Sequence, residues 1–102
     1  MKNRKDTFEM IVLCYIDAYV DLYGEINSTV ITSKLPIHRS KVSGLFTRYL
    51  KLKPSNMRNV GGQRGYIKGY SFERLFLKDE SSLSFINAID IAFKERDLPE
   101  EN

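Results

Sequence analysis

Residues 29–50, TVITSKLPIHRSKVSGLFTRYL, decide the fold of this chain. The pattern predicts a short helix over about 29–35, with Asn27 or Ser28 as its N-cap. Pro36 and the β-branched Ile37 then end it. A second helix over about 39–50 follows at once, because apolar residues recur there at helical spacing. Two helices that are joined by a short turn, the second of them basic, are typical of a helix-turn-helix.

The residues that follow predict a two-stranded hairpin. Pro54-Ser55-Asn56 is a turn signal. Strands are expected over about 57–60 and about 66–75, joined by the glycine-rich tip GGQRG at 61–65. Gly69, inside the second strand, indicates a bulge or a close backbone approach. A hairpin directly after a helix-turn-helix is a wing, so the expected domain is a winged helix-turn-helix.

An apolar helix over about 7–23 is expected before this unit. Asp6 and Glu9 have the spacing of an N-cap and its reciprocal partner, and Gly24 is placed to end the helix in a left-handed conformation. Its polar stripe is narrow and consists chiefly of Glu9, Asp17 and Asp21. A helix that is apolar on more than one side is buried on more than one side. We therefore expect a second covering surface, which a second copy of the chain could supply.

A last helix is expected over about 83–96, with Ser81 or Ser82 as its N-cap. The predicted fold class is mainly α with a small β wing (α+β). Residues 1–78 form the DNA-binding domain in this interpretation, and residues 79–102 form a dimerisation element with an acidic tail. The predicted dimer interface consists of Leu13, Val20, Leu83, Ile86, Ile89 and Phe93.

Charge is distributed very unevenly along the chain. Residues 28–78 contain eleven Lys or Arg and one acid, whereas residues 1–27 contain three bases and five acids and residues 79–102 contain two and seven. The net charge of +3 therefore hides a strongly basic central block. A polyanion would relieve the repulsion within this block, and nucleic acid is the obvious one. A solvated basic face without a partner is the alternative.

Composition excludes several classes of protein. The chain has 102 residues, 42% of them hydrophobic, and a single cysteine, which rules out an internal disulfide and a multi-cysteine zinc site. The longest apolar run, Met10–Ile16, is too short to span a bilayer. Neither a secretory signal nor a low-complexity segment is evident. We expect a cytoplasmic protein without a metal, a cofactor or a membrane partner.

The second helix of the helix-turn-helix is the candidate for the major groove. Its first residues would reach base edges or adjacent phosphates, and these are Arg39, Ser40, Lys41 and Ser43. Thr47 and Arg48 lie a turn further on and are expected to contact phosphates. Gly44 leaves room for the close approach of DNA or of the first helix. A solvated helix face is the alternative for each of these residues.

The wing supplies the second set of candidates. Gln63 and Arg64 lie between glycines, so an arginine could enter a minor groove there. On the strands, the expected phosphate contacts are Arg58, Asn59 and Lys68. An ordinary hairpin tip is the alternative. Tyr66 and Tyr70 could stack on single-stranded bases, although core packing is favoured for both.

Three segments share their order and spacing with a known family: YIDAYVDLYGEIN, ITSKLPIHRSKVSGLFTRYLKLKPSNM and GYIKGYSFERLF. The stretch from Tyr15 to Leu77 resembles the N-terminal winged helix-turn-helix of WYL-domain transcriptional repressors, which include regulators of phage-defence loci such as BREX and CBASS islands. The residues that fall on the family pattern are Tyr49, Pro54, Asn56, Tyr66, Ile67 and Phe72.

This resemblance implies a dimeric, DNA-binding repressor that is nucleoid-associated, in a prokaryote or phage. The WYL effector domain of the family would need many more residues than follow the wing here, so sensing of a small-molecule effector is not carried over. The expected partners are double-stranded DNA and a second copy of the chain.

The function that these features predict is a homodimeric repressor that binds an inverted repeat. Two alternatives remain: a winged-helix protein-interaction module of a mobile element, and a replication or partition accessory. An enzyme is not expected, since no nucleophile, base and acid lie at useful spacing. Cys14 is interpreted as a core or interface residue, and His38 as a helix cap or a phosphate contact.

Overall fold

The computed structural model describes residues 4–94. In chain order its elements are α1 (Arg4–Tyr23), β1 (Glu25–Ile26), α2 (Ser28–Lys34), α3 (Arg39–Leu52), a 3₁₀ turn (Pro54–Asn56), β2 (Met57–Gly61), β3 (Gly65–Lys68) and α4 (Ser82–Ala92). The strands form one antiparallel sheet in the order β1-β3-β2. The predicted class, a winged helix-turn-helix that is mainly α with a small β wing and a C-terminal helix, is confirmed.

The ends of the helices follow the predicted capping residues. Gly24 has a φ of +81°, and its N–H donates to the carbonyl of Val20, so α1 ends in the left-handed conformation expected of glycine. The Asn27 side chain accepts from the N–H of Val30 at the start of α2. Ser81 does the same for the N–H of Ser84 at the start of α4. These side chains satisfy backbone donors that have no partner inside their helices.

Several predicted boundaries are wrong. Helix α1 begins at Arg4, so Asp6 lies inside its first turn and is not the N-cap. Helix α3 extends to Leu52, two residues beyond the predicted end. Helix α4 ends at Ala92, before the predicted end at residue 96, and residues 95–102 lie outside the described part of the chain.

The second wing strand is much shorter than the sequence pattern predicts, because β3 ends at Lys68. The next residue, Gly69, donates its N–H to the carbonyl of Asn56. A Cβ built on Gly69 would lie 2.0 Å from the carbonyl oxygen of Ser55, so only glycine permits this approach. The predicted close backbone approach at Gly69 is therefore confirmed, and it ends the strand.

Helix α1 is the centre of the core. Val12, Ile16 and Val20 are fully buried. The second covering surface that α1 needs belongs to the same chain, because α4 packs along α1 and buries Ile86 and Ile89. Each such aliphatic side chain contributes about 1.5–3 kcal/mol relative to full exposure. The expectation that a second copy covers α1 is thus not needed to explain its composition.

A buried carboxylate links α1 to α3 and to the segment after the wing. Asp17 is fully buried and accepts hydrogen bonds from the backbone N–H groups of Leu75 and Leu77, each at 3.0 Å, and of Phe76. The hydroxyl of Tyr49 in α3 also donates to it. Burial, followed by this hydrogen bond to Asp17, raises the pKa of Tyr49. Asp17, which the helical pattern places on the polar stripe of α1, is therefore buried and does not face water.

Asn56, in the turn after α3, completes this network. Its amide donates to the hydroxyl of Tyr49 and to the carbonyl of Glu73, each at 2.9 Å. Its side-chain oxygen accepts from the N–H of Glu73. Together with the bonds to Asp17, these bonds fix the position of α3 on α1. The position of α3 in turn determines the direction in which its outer face points.

Candidate nucleic-acid interface

Helix α3 presents one apolar and one polar face. Val42, Leu45, Phe46 and Tyr49 are buried, at helical spacing. The opposite face is exposed, and the predicted contacts on it are Arg39, Ser40, Lys41, Ser43, Thr47 and Arg48. The polar residues of α3 therefore form a continuous outer face that a duplex could reach.

The wing is fixed against the junction of β1 and α2. The Asn27 side chain donates to the backbone carbonyl of Gln63. Gly65 has a φ of +69°, and a Cβ there would lie 2.6 Å from the carbonyl oxygen of Ile26. In the core below, Tyr66 stacks on Phe46 of α3 with ring centroids 4.3 Å apart, which confirms core packing for Tyr66. The hairpin is thus held by contacts at its tip as well as at its base.

The wing tip and the start of α3 meet at one cleft. The cleft has a volume of about 570 Å³ and is lined by Asn27, Ser28, Thr29, Arg39, Gly62 and Gln63. The Arg39 guanidinium donates to the Thr29 hydroxyl at 3.3 Å, which places it between α2 and the wing. The two elements predicted to contact DNA are therefore neighbours on one surface.

Two of the predicted cations on α3 are paired with an acid of α1. The Glu9 carboxylate lies 3.3 Å from Lys41 and 3.4 Å from Arg48. Its side chain is 15% exposed, whereas those of the two cations are 46% and 52% exposed. Glu9 therefore contacts the outer face of α3 and does not form the capping pair with Asp6 that the sequence predicts.

Two of the predicted cations on the wing are also paired. Arg64 lies 3.0 Å from the Glu25 carboxylate of β1, so the tip arginine is directed along the sheet. Lys68 donates to the backbone carbonyl of Asp21 at 3.1 Å and lies over the ring of Phe72. Lys68 is exposed and connects the base of the wing to the end of α1.

The remaining wing candidates are exposed. Within residues 4–94, Arg58 has no ion-pair partner, and the Asn59 side chain accepts only from the N–H of Gly61. Tyr70 is fully exposed, so the expectation that it packs in the core is wrong. Lys51, which the sequence analysis did not include, is exposed near the end of α3. Its spacing of four residues from Thr47 could have identified it.

The predicted dimer interface lies mostly inside the chain. Leu13 and Val20 are fully buried, and Ile86 and Ile89 are 5% and 6% exposed, so these side chains are not at the surface. The contact between α1 and α4 explains their burial. Leu83 is 55% exposed, and Phe93 is partly buried against the core. Among the six predicted residues, Leu83 is thus the one that is clearly accessible to a second copy.

Cys14 and His38 are the two side chains with potential for catalysis or metal binding. Burial, and then the charge of Asp17, raise the pKa of Cys14, which keeps the thiol protonated. His38 occupies the N-cap position of α3, but its side chain makes no capping hydrogen bond. Among residues 4–94 no group of His, Cys, Asp and Glu could hold a metal ion. No helix in that same part of the chain is long and apolar enough to cross a membrane.

Comparison with known families agrees with this architecture. The family model of the BrxR transcriptional regulator winged helix-turn-helix domain matches residues 10–88. The match extends from α1 through the helix-turn-helix and the wing into α4, and it covers more than half of the chain. No curated protein is significantly similar to this sequence. The predicted resemblance to the N-terminal domain of such regulators is confirmed. The chain belongs to the family of BrxR transcriptional regulator winged helix-turn-helix domains.

Proposed function

We propose that this chain is a sequence-specific repressor that binds an inverted repeat in double-stranded DNA as a homodimer. Its family consists of winged-helix domains of transcriptional regulators, which supports DNA binding in general terms. Repression and the palindromic site go beyond that support, and they rest on the resemblance and on the two-fold symmetry that dimeric helix-turn-helix proteins share with their operators.

The observation that carries the proposal is the cleft between the wing tip and the start of α3. In a helix-turn-helix the N-terminal residues of the second helix contact base edges. Arg39 occupies that position and lines the cleft together with Gln63 of the wing. An arginine there suits bidentate pairing with guanine in the major groove. A duplex that lies across the cleft would contact α3 and the wing at once.

The other candidates then have separate roles. Ser40 and Ser43 face the groove beside Arg39, while Thr47 and Lys51 follow along the exposed face of α3 at phosphate positions. Arg58 extends the basic surface along the wing. These contacts to phosphate contribute affinity that depends on salt, whereas Arg39 contributes discrimination between sequences.

Arg64 enters the flanking minor groove only if it leaves Glu25. This exchange is feasible because an exposed ion pair contributes only about 0.2–1 kcal/mol. The glycines on either side of Gln63 and Arg64 remove side-chain bulk at the tip, so the backbone can approach the duplex closely. A narrow minor groove has an enhanced negative potential that attracts arginine.

For the dimer, we infer that the outer face of α4 is the contact. Leu83 and Ile91, two turns apart, are 55% and 64% exposed, and Ala88 between them is exposed too. The DNA-binding domain would then be residues 1–78, with residues 79–102 contributing dimerisation. Two copies would place their α3 helices about one helical turn of DNA apart, or a multiple of it.

The test is selection of bound duplexes from random DNA, followed by fluorescence anisotropy with the selected site. We expect a palindromic consensus and a molar mass of a dimer by light scattering. Arg39→Ala should lower affinity for the consensus by about 1–3 kcal/mol and relax the preference at one base pair. Lys51→Ala should weaken binding to all sequences and reduce the salt slope by about 1.

Lys94→Ala, which removes the same charge from a position two residues after α4, is the matched control and should have little effect. The docking model is wrong if Arg39→Ala and Arg64→Ala each leave affinity for the consensus unchanged at moderate salt. Binding of a protein partner that persists in high salt, without DNA binding, would favour an interaction module instead. A dimer that survives Leu83→Glu would exclude the proposed α4 contact.

A further inference from the structure

The acidic N-terminal third of the chain contributes one carboxylate to each of the two docking elements. Glu9 of α1 is paired with Lys41 and Arg48 of α3, and Glu25 of β1 is paired with Arg64 of the wing. The uneven charge pattern of the sequence is therefore partly neutralised across the tertiary structure. Acids at a surface proposed to bind a polyanion would repel its phosphates, so their presence there calls for a physical reason.

Glu9 holds two cations that are distant along α3. Lys41 and Arg48 are separated by two helical turns, which correspond to a rise of about 10.5 Å. One carboxylate oxygen contacts each of them, so both side chains converge on the α1 side of the outer face. Glu9 is only 15% exposed, and water therefore screens this arrangement less than it screens an ordinary surface pair.

Arg39 provides the contrast. Its guanidinium donates to the neutral hydroxyl of Thr29, and among residues 4–94 it has no acidic partner. The residue proposed to read a base is thus left without a competing charge. By contrast, Lys41, Arg48 and Arg64 each have an acidic partner. Lys41 and Arg48 lie at phosphate positions, and Arg64 is the candidate for the flanking minor groove.

The presence or absence of an acidic partner affects sequence-independent and sequence-specific DNA affinity differently. A phosphate that approaches Lys41 or Arg48 must replace the Glu9 carboxylate or remain beside it, and like charges repel at this distance. Contacts to phosphate supply essentially all of the sequence-independent affinity for DNA. Base contacts, which supply discrimination, are not reduced in this way.

We infer that Glu9 and Glu25 are specificity-determining residues that weaken sequence-independent DNA binding while leaving base reading intact. The inference rests on the proposed function. It explains why acids are retained at a cationic docking surface, and it assigns these two acids of the N-terminal block a role in discrimination.

The experiment measures binding of the complete chain to its selected duplex and to a scrambled duplex of equal length, over a series of salt concentrations. The variants are Glu9→Gln, Glu25→Gln and both together. Glu73→Gln is the matched control, because it removes the same charge from an ion pair with Lys53, 3.0 Å away, which lies after α3. The control corrects for the change in net charge.

Relative to Glu73→Gln, we expect Glu9→Gln to tighten binding to the scrambled duplex about three- to tenfold and to steepen its salt slope by up to about 1.8, since two cations become available to phosphates. Glu25→Gln should have about half that effect on the slope, because it releases one cation. Affinity for the selected duplex should rise less, so the ratio between the two duplexes should fall.

Three results would overturn the inference: equal effects of Glu9→Gln and Glu73→Gln, weaker binding of the scrambled duplex by Glu9→Gln, or an unchanged ratio between the duplexes. Each of these leaves the proposed function standing, because the unsubstituted chain still prefers its site. An unsubstituted chain that binds neither duplex would overturn the proposed function and the inference with it.

Discussion

On the side of α3 that faces the protein, Tyr49 is fully buried, and its hydroxyl donates to Asp17 and accepts from Asn56. On the opposite side, the polar residues Ser40, Thr47 and Lys51 are exposed. Both sides carry polar groups, but they differ in access to water. A buried polar group that loses its partner keeps the full cost of desolvation. An exposed one exchanges its partner for water, or for a ligand, at little cost.

The comparison teaches that polar residues of the same helix can have separate tasks. The inner set determines where α3 lies, and the outer set is available to a partner. The ion pairs of Glu9 belong to the outer set, although Glu9 and Asp17 are both acids of α1. Substitutions on the two sides should therefore change the free energy of unfolding by different amounts, and one of them should raise it.

The largest effect is expected for Asp17→Ala. It would leave three backbone N–H groups and the Tyr49 hydroxyl without their acceptor, which destabilises the fold by roughly 3–5 kcal/mol. Glu9→Ala, on the same helix, should cost less than about 1 kcal/mol. Urea unfolding followed by circular dichroism measures both values. Similar losses for the two variants would show that the inner and outer acids do not differ as the structure indicates.

Next in size is Gly69→Ala. The added methyl group would lie 2.0 Å from the carbonyl oxygen of Ser55, so the backbone must shift and break the bond from Gly69 to Asn56. We expect a loss of about 1–3 kcal/mol, as for other overpacked sites. The unfolding midpoint in urea should fall accordingly. An unchanged midpoint would mean that the turn after β3 relaxes without affecting the inner side of α3.

Local sequence signals predicted the elements but not the network that positions them. Pro36, the cap at Asn27 and Gly24 were sufficient to place α2, α3 and the end of α1, because each acts on its own segment. Helical spacing places Asp17 on the polar stripe of α1, but spacing alone cannot show that backbone N–H groups about 60 residues later meet its carboxylate. The end of β3 was missed for a similar reason, as it depends on contact with Ser55.

The same limit applies to the interface. All eleven residues predicted to contact DNA are exposed, because polar positions opposite an apolar helix stripe and at a hairpin tip are reliably on the surface. The pairing of Lys41, Arg48, Arg64 and Lys68 with acids could not be predicted, since it depends on where α1 and β1 pack. Four of the six predicted dimer residues, Leu13, Val20, Ile86 and Ile89, are buried because α4 covers α1 within one chain.

A third prediction concerns alkaline pH. The pKa of Tyr49 is raised above its unfolded value by burial and by Asp17, so the stability it contributes is fully present below about pH 10 and is lost as the pH rises further. The loss is at most about 1.4 kcal/mol per pH unit for one group. Burial likewise raises the pKa of Tyr15.

Comparison with Tyr49→Phe isolates the contribution of Tyr49. The free energy of unfolding in urea should fall less for this variant than for the unsubstituted chain between about pH 9 and about pH 11, because Tyr15 and the lysines titrate in both. A variant that loses as much stability as the unsubstituted chain would show that the Tyr49 hydroxyl does not titrate against the folded state.

The smallest effect, and the one of opposite sign, is expected for Gly44→Ala. Gly44 lies in the middle of the outer face of α3 and is exposed, and a Cβ built on it would meet no other part of residues 4–94 within 4 Å beyond its chain neighbours and the nearby backbone of α3. Helix α1 is therefore not the neighbour that requires glycine there. Replacement by alanine should stabilise the helix by about 0.5–1 kcal/mol. The fold gains nothing from glycine at this position. The remaining reason for glycine is a close approach of DNA to the α3 backbone, so we expect the added methyl group to obstruct the duplex. Affinity for the selected DNA should then fall while the urea midpoint rises. If both increase together, Gly44 is not where α3 approaches DNA most closely, and the two sides of the helix differ less than the structure suggests.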